Sequence, residues 1–309
     1  MGTKKHDILF ICLEVFVLLA FISSLLISNS NGGNNSLGWF LNNGTGSVAR
    51  LYPTEIAPAG WTLTVWQVIH IFEGLFHLYV LTSLVRRNVQ GPVYRNPVLI
   101  TPVMLLLYGF VVALNISWVF VYDRQYVPVA CGLNALMPIA LCTLLVLHHR
   151  KVDQNGFIMK QNHKCDLVLV RIIVQNGMAL YATWVTISTQ LTLATVLTYW
   201  GDVEQSISCT ISLSIVLGLF LIYSVLENFV WDKYLRYTYT VWMIVIIALS
   251  GIIARNWNPE KRNAIYSVVI ISLAAGLFIL KIGLSMWRCC KRPLYTDSVS
   301  ESKMDLELA

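Results

Sequence analysis

Charge is what this chain has least of. Only 12% of its 309 residues are Asp, Glu, Lys or Arg, against about 25% in a soluble domain. That shortage excludes an ordinary cytosolic enzyme and a disordered tail protein. The net charge is +6, with no dense basic stripe outside the connecting segments, so nucleic acid is not an expected partner. Disulfides are lacking too. Cys12, Cys131, Cys142 and Cys209 lie in apolar runs, and Cys165, Cys289 and Cys290 lie in segments placed in the cytosol below, so no oxidised framework is expected. The sequence has no Gly-rich phosphate loop, nucleophile elbow, paired catalytic carboxylates or metalloprotease motif. It calls for no cofactor, and it shows no internal repeat.

What it has is apolar length: 56% of the residues are hydrophobic. A run of about 20 apolar residues crosses a bilayer as a helix, because only a helix or a closed barrel satisfies its own backbone in hydrocarbon. Eight such runs appear, near 8–28, 61–85, 97–122, 127–149, 167–199, 205–229, 235–254 and 264–287. The expected fold class is an all-α polytopic transmembrane bundle in contact with membrane lipid. Trp61, Tyr122, Trp200, Trp231, Trp257 and Trp287 sit near run ends, as an interfacial aromatic belt requires. The first run reads as a retained span, since it contains Glu14 and no small-x-small cleavage site follows it.

Lys and Arg set the orientation. One alternating set of connecting segments holds fifteen of them and the other set holds five. The richer side is cytosolic by the positive-inside rule, which puts both termini in the cytosol of a plasma membrane or endomembrane protein. The segment 29–60 is then the longest outside loop, rich in Asn, Gly and Ser. It carries glycosylation sequons at Asn34 and Asn43. A third sequon at Asn115 falls inside a span and is expected to be silent. Polar, basic residues 150–166 read as a solvated connector. Cys289 and Cys290, flanked by Arg288, Lys291 and Arg292, suit palmitoylation or remain free thiols. Residues 289–309 read as a cytosolic tail, Ser- and acid-rich from Pro293 onward.

Trp66, His70, Glu73 and His77 recur at helical spacing, forming one stripe. Their ionisable groups are costly in lipid and should face the bundle interior. Three readings stay open: a structural hydrogen-bond cluster, the polar wall of a cavity or proton relay, and a metal site. His-x-x-Glu-x-x-x-His can ligate zinc, and a membrane-embedded zinc hydrolase using His70, Glu73 and His77 is the alternative function. Asn115 and Trp118 share a face of the third run, and Tyr181 and Trp184 share a face of the fifth. Arg171 either snorkels or pairs with Glu14 or Glu73. A Glu227–Lys281 ion pair is the simplest expectation for the last three runs. Asp123-Arg124-Gln125-Tyr126 invites a signalling-receptor reading, another alternative. Here, though, the segment lies on the outer side and Gln125 displaces the Tyr.

Three stretches carry a family resemblance. Residues 53–70 run from Pro53 through Pro58, Gly60 and Trp61 to Trp66 and His70. The third run ends Ala113-Leu114-Asn115-Ile116-Ser117-Trp118, and the fifth contains Leu180-Tyr181-Ala182-Thr183-Trp184-Val185. In order and placement these resemble the motifs of the translocator protein / tryptophan-rich sensory protein (TspO/MBR-like) family. The resemblance covers roughly residues 8–200, and the closer likeness is to a branch with additional helices. It implies a five-helix unit over 1–204, three further spans over 205–288, and a pocket lidded by the first loop. That pocket would bind a small hydrophobic ligand, porphyrin- or sterol-like, against Trp61, Trp66, Asn115, Trp118 and Trp184. Transport and sensing are both implied activities, turnover is not, and a homo-oligomer is compatible with either.

Overall fold

The computed structural model describes residues 6–31, 38–88 and 91–295. The chain is an all-α, multi-pass integral membrane protein. Seven helices are long and apolar enough to cross a bilayer: Ile8–Asn31, Gly60–Val85, Pro102–Asp123, Val127–Asn162, Lys164–Tyr199, Gln205–Val230 and Arg262–Lys291. An eighth apolar helix, Thr240–Asn256, has 17 residues, the lower limit for a crossing. These eight are called the first to eighth spans in chain order, Thr240–Asn256 being the seventh. A two-residue antiparallel ladder pairs Arg87 with Pro92 and Asn88 with Gly91 in the connection after the second span.

The first span packs on the second and third, the third on the fourth, the fourth on the fifth, and the fifth on the second. Five helices thus close a ring in the spatial order one, two, five, four, three. The sixth and seventh spans pack on the outer side of the fifth, and the eighth packs on both.

The fifth span is the most buried of the seven long helices, and its sequence explains how it tolerates helices all round. Thr183, Thr186, Thr189, Thr192, Thr195 and Thr198 each donate a hydroxyl hydrogen bond to the carbonyl four residues back, at 2.7–3.2 Å. Their polar atoms are satisfied within the helix and present a small surface to neighbours. Gly177 brings the second span close: a Cβ there would lie 2.8 Å from Phe72 Cδ1.

The fourth helix continues through residues 150–162 rather than becoming a solvated connector. Its 36 residues span about 54 Å, well beyond the hydrocarbon core. The projecting part stays helical because Val152, Gly156 and Met159 recur at helical spacing and are buried.

Two π-helical stretches interrupt the α geometry, at Val170–Asn176 and Leu226–Val230. In the first, the Asn176 amide donates to the carbonyls of Arg171 and Tyr237, both at 2.8 Å, and its Oδ1 accepts from Tyr239 N at 2.8 Å. This fastens the fifth span to the start of the seventh. Arg171 pairs with neither Glu14 nor Glu73. Its guanidinium lies 4.0 Å from the Tyr237 ring centroid, a cation–π contact.

The expected Glu227–Lys281 pair forms, at 3.1 Å. Beside it, Asp232 holds Arg236 at 2.5 Å and Arg288 at 2.6 Å. Burial pushes the Asp232 carboxyl up, but the two guanidiniums outweigh burial and hold it below its ordinary value. A depressed carboxyl contributes stability above its unfolded value, about 3.9. That stability is lost as pH falls through the lower folded value. A thermal-unfolding series in detergent should therefore show a drop below about pH 3.9 that Asp232→Asn flattens. An unchanged profile in the variant would remove Asp232 as its source.

Candidate functional site

The second span turns its stripe into the ring. Glu73 and His77 are buried, and Trp66 and His70 are partly buried. Trp66 is the hub. Its ring centroid lies 6.3 Å from Trp118 of the third span in a stacked pair. It lies 5.9 Å from Tyr181 and 6.5 Å from Trp184 of the fifth span, both edge-on. Edge-to-face and offset-stacked arrangements at these distances suit the ring quadrupoles. His70 follows at 6.2 Å, and Asn115 is buried one turn before Trp118.

Two imidazole–carboxylate pairs continue the cluster along the span. His70 Nδ1 lies 2.8 Å from Glu73 Oε2, and Tyr108 of the third span donates its hydroxyl to Glu73 Oε1 at 3.0 Å. His77 Nδ1 lies 2.8 Å from Glu14 Oε1 of the first span, with both side chains at most 2% exposed. Phe21 bridges the pairs, 6.5 Å from His70 and 5.2 Å from His77. Five buried polar atoms here find no hydrogen-bond partner among the described residues: Glu14 Oε2, His70 Nε2, His77 Nε2, Trp118 Nε1 and Trp184 Nε1.

Trp61 does not join the cluster. It is 51% exposed on the 3₁₀ turn Gly60–Thr64 that begins the second span, where an amphipathic ring suits the boundary region. The zinc arrangement is not assembled either. Each imidazole turns Nδ1 to a different carboxylate, and no group of three metal-capable side chains occurs among the described residues. His148 and His149 contact each other at 6.4 Å.

Sequence reasoning missed Glu14 and Tyr108 as members of this site. A carboxylate in an otherwise apolar run was the available signal for Glu14; nothing marked Tyr108.

Asp123, at the end of the third span, anchors the described part of the first loop. Its fully buried carboxylate accepts backbone N–H bonds from Leu41 (2.8 Å), Asn42 (3.2 Å) and Gly44 (2.9 Å). The receptor-like tetrad is thus a loop anchor. Phe40 stacks on Phe120 at 5.4 Å, beside Trp118. Gly44 (φ 93°) has no room for a Cβ against the Asn31 backbone oxygen. Asn43 is exposed on this loop, while Asn34 lies outside the described residues.

The loop's second half docks on the last spans. Ala57 O accepts from Asn256 Nδ2 at 2.7 Å, Pro58 O from Arg255 at 3.2 Å, and Gly251 O from Ala59 N–H at 2.9 Å. Glu55 meets Lys261 at 3.2 Å and Asn263 at 2.9 Å. At the opposite end of the bundle, Cys289 Sγ lies 3.4 Å from the Tyr237 hydroxyl, and Cys290 is exposed.

A Trp-centred ring of this kind, on helices two, three and five, is the arrangement that the motif order implied. The family model described as TSPO-like protein matches residues 12–283. The chain belongs to the TSPO-like protein family. The match reaches into the eighth span, well past the 8–200 that the motifs alone carried, so the TSPO-like likeness includes the three later spans. No curated protein and no solved structure matches the chain. This TSPO-like protein has a Trp-rich interior joined to two imidazole–carboxylate pairs.

Proposed function

We propose that the ring binds a small, flat, hydrophobic ligand of the porphyrin or sterol class, held by Trp66, Trp118, Tyr181 and Trp184, and serves to carry or sense it. The convergence of three tryptophans from three helices on one buried point supports this reading. A flat ring between two indoles needs about 7 Å between them, two carbon contact distances. Trp66 and Trp118 are a stacked pair with centroids 6.3 Å apart, so the two indoles must part for such a ring to lie between them. Asn115, His70, Glu73 and His77 form the polar part of the wall, and the Asp123-anchored loop is the lid.

The fifteen-to-five Lys/Arg asymmetry supports cytosolic termini. Asn43 is then a glycosylation site on the outer side, with Asn34 a second acceptor by its sequon, and Cys290, with Cys289, is the acylation site on the inner side.

The test is titration of purified protein with protoporphyrin, following quenching of Trp fluorescence. Trp66→Leu should weaken binding about tenfold or more, the equivalent of about 1.4 kcal/mol, while leaving helical content unchanged. Equal affinity in the folded variant would overturn the assignment.

A further inference from the structure

Tyr295, just past the eighth span, folds back onto the end of the bundle opposite the first loop. Its half-buried ring lies on Gly156, in the projecting part of the fourth helix. A Cβ at Gly156 would overlap Cζ, Cε1 and Cε2 of that ring, so only glycine leaves the seat open. The Arg171 guanidinium lies 5.9 Å from the Tyr295 ring centroid as well as 4.0 Å from that of Tyr237, both within cation–π range. Side chains also grip the backbone of the segment. Arg236 Nη1 donates to Arg292 O at 2.6 Å, and Lys160 Nζ donates to Leu294 O at 3.2 Å. Tyr295 itself has φ 60°, the left-handed region that is costly for a residue with a Cβ. Side-chain contacts thus hold the ring in place against a strained backbone, which favours its release.

Two turns inward on the same face of the fourth helix is His149. His149, Val152 and Gly156 follow at i, i+3 and i+7 and are all buried, and seven residues make about 10 Å of helix. His148 lies beside it, with ring centroids 6.4 Å apart, and the two are 0% and 6% exposed. None of their four ring nitrogens has a hydrogen-bond partner among the described residues. An imidazole carries at least one N–H in its neutral and in its charged form alike. The pair therefore buries at least two unmatched donors whatever its protonation, and such groups draw water where water can reach them. Arg171, which touches the Tyr295 ring, is also within electrostatic reach of His149.

We propose that Tyr295 is a plug over a hydration site at His148 and His149. Seated on Gly156, it keeps the pair dry. Withdrawn, it admits water to both imidazoles. The device stands apart from the Trp-lined ring and does not depend on what binds there.

Diethyl pyrocarbonate, which carbethoxylates accessible imidazoles, tests this on the purified protein, with the rate at each histidine followed by peptide mass spectrometry. His6 is exposed and serves as the free reference. In the wild-type protein His148 and His149 should react about tenfold or more slowly than His6, the mark of a local closed state. Gly156→Ala and Tyr295→Ala should each raise the rate of the pair about tenfold or more. Tyr295→Phe keeps the ring and should leave the pair slow. Alanine is a better helix former than glycine, so Gly156→Ala unseats the ring without weakening the helix. His70 and His77 report the fold and should not change.

Fast reaction of the pair in the wild-type protein or in Tyr295→Phe overturns the proposal, as does slow reaction in either alanine variant. So does a Tyr295→Ala protein in which His70 and His77 react as fast as the pair, because Tyr295 would then hold the bundle together rather than close one site.

Discussion

Lys281→Met should lower stability by about 3–5 kcal/mol, the usual cost of leaving one member of a buried ion pair alone. Glu227 and Lys281 are at most 1% exposed and lie 3.1 Å apart. Glu227 Oε1 also accepts from Trp242 Nε1 at 2.6 Å, and Lys281 donates to Leu235 O at 3.0 Å. The pair therefore joins the sixth, seventh and eighth spans through one carboxylate. Neutralising both members, as Lys281→Met with Glu227→Gln, should recover most of the loss, because Gln keeps an acceptor for the Trp242 indole and no charge is stranded. The midpoint of thermal unfolding in detergent reads both effects. A double variant as unstable as the single one would show that the pair is not the source.

Gly251→Ala should loosen the first loop. A Cβ at Gly251 would overlap Thr62 Oγ1 and stand 2.9 and 3.0 Å from Thr62 Cγ2 and Cβ, while Gly251 O still has to accept the Ala59 N–H. Overpacking of this kind costs about 1–3 kcal/mol. Because Thr62 opens the turn that leads into Trp66, the displacement should also weaken porphyrin binding by about tenfold, equivalent to about 1.4 kcal/mol. Thr62→Ala, which removes the two nearest atoms, should restore much of both. Porphyrin affinity untouched by Gly251→Ala would separate the loop from the site.

Much of this was legible before any coordinates. Apolar runs in lipid have one solution, so all eight helices could be read from length and hydropathy. The spacing of Trp66, His70, Glu73 and His77 fixed a shared face, and the cost of burying ionisable groups pointed that face inward. What stayed hidden depends on rotation and on distance along the chain. No local pattern says that Glu14 meets His77, because that requires the relative rotation of two helices. Trp61 and Trp66 looked alike as motif members, yet the 3₁₀ turn that carries Trp61 points it outward. Asp123 resembled a receptor motif, because its partners are backbone amides some 80 residues away that have no side-chain signature. Residues 150–162 looked like a connector because composition registers polarity better than it registers a continuing helix.

The docking of residues 55–62 on Gly251, Arg255, Asn256 and Asn263 also has a consequence for how the molecule is made. A membrane protein is threaded into the bilayer from its first span onward. The five-helix ring is complete once Tyr199 has emerged, but the groups that fasten its mouth are synthesised some fifty residues later. Until then the first loop lacks these partners, and the final two helices fasten it on arrival. A product truncated after the fifth helix would be a ring without its fastener.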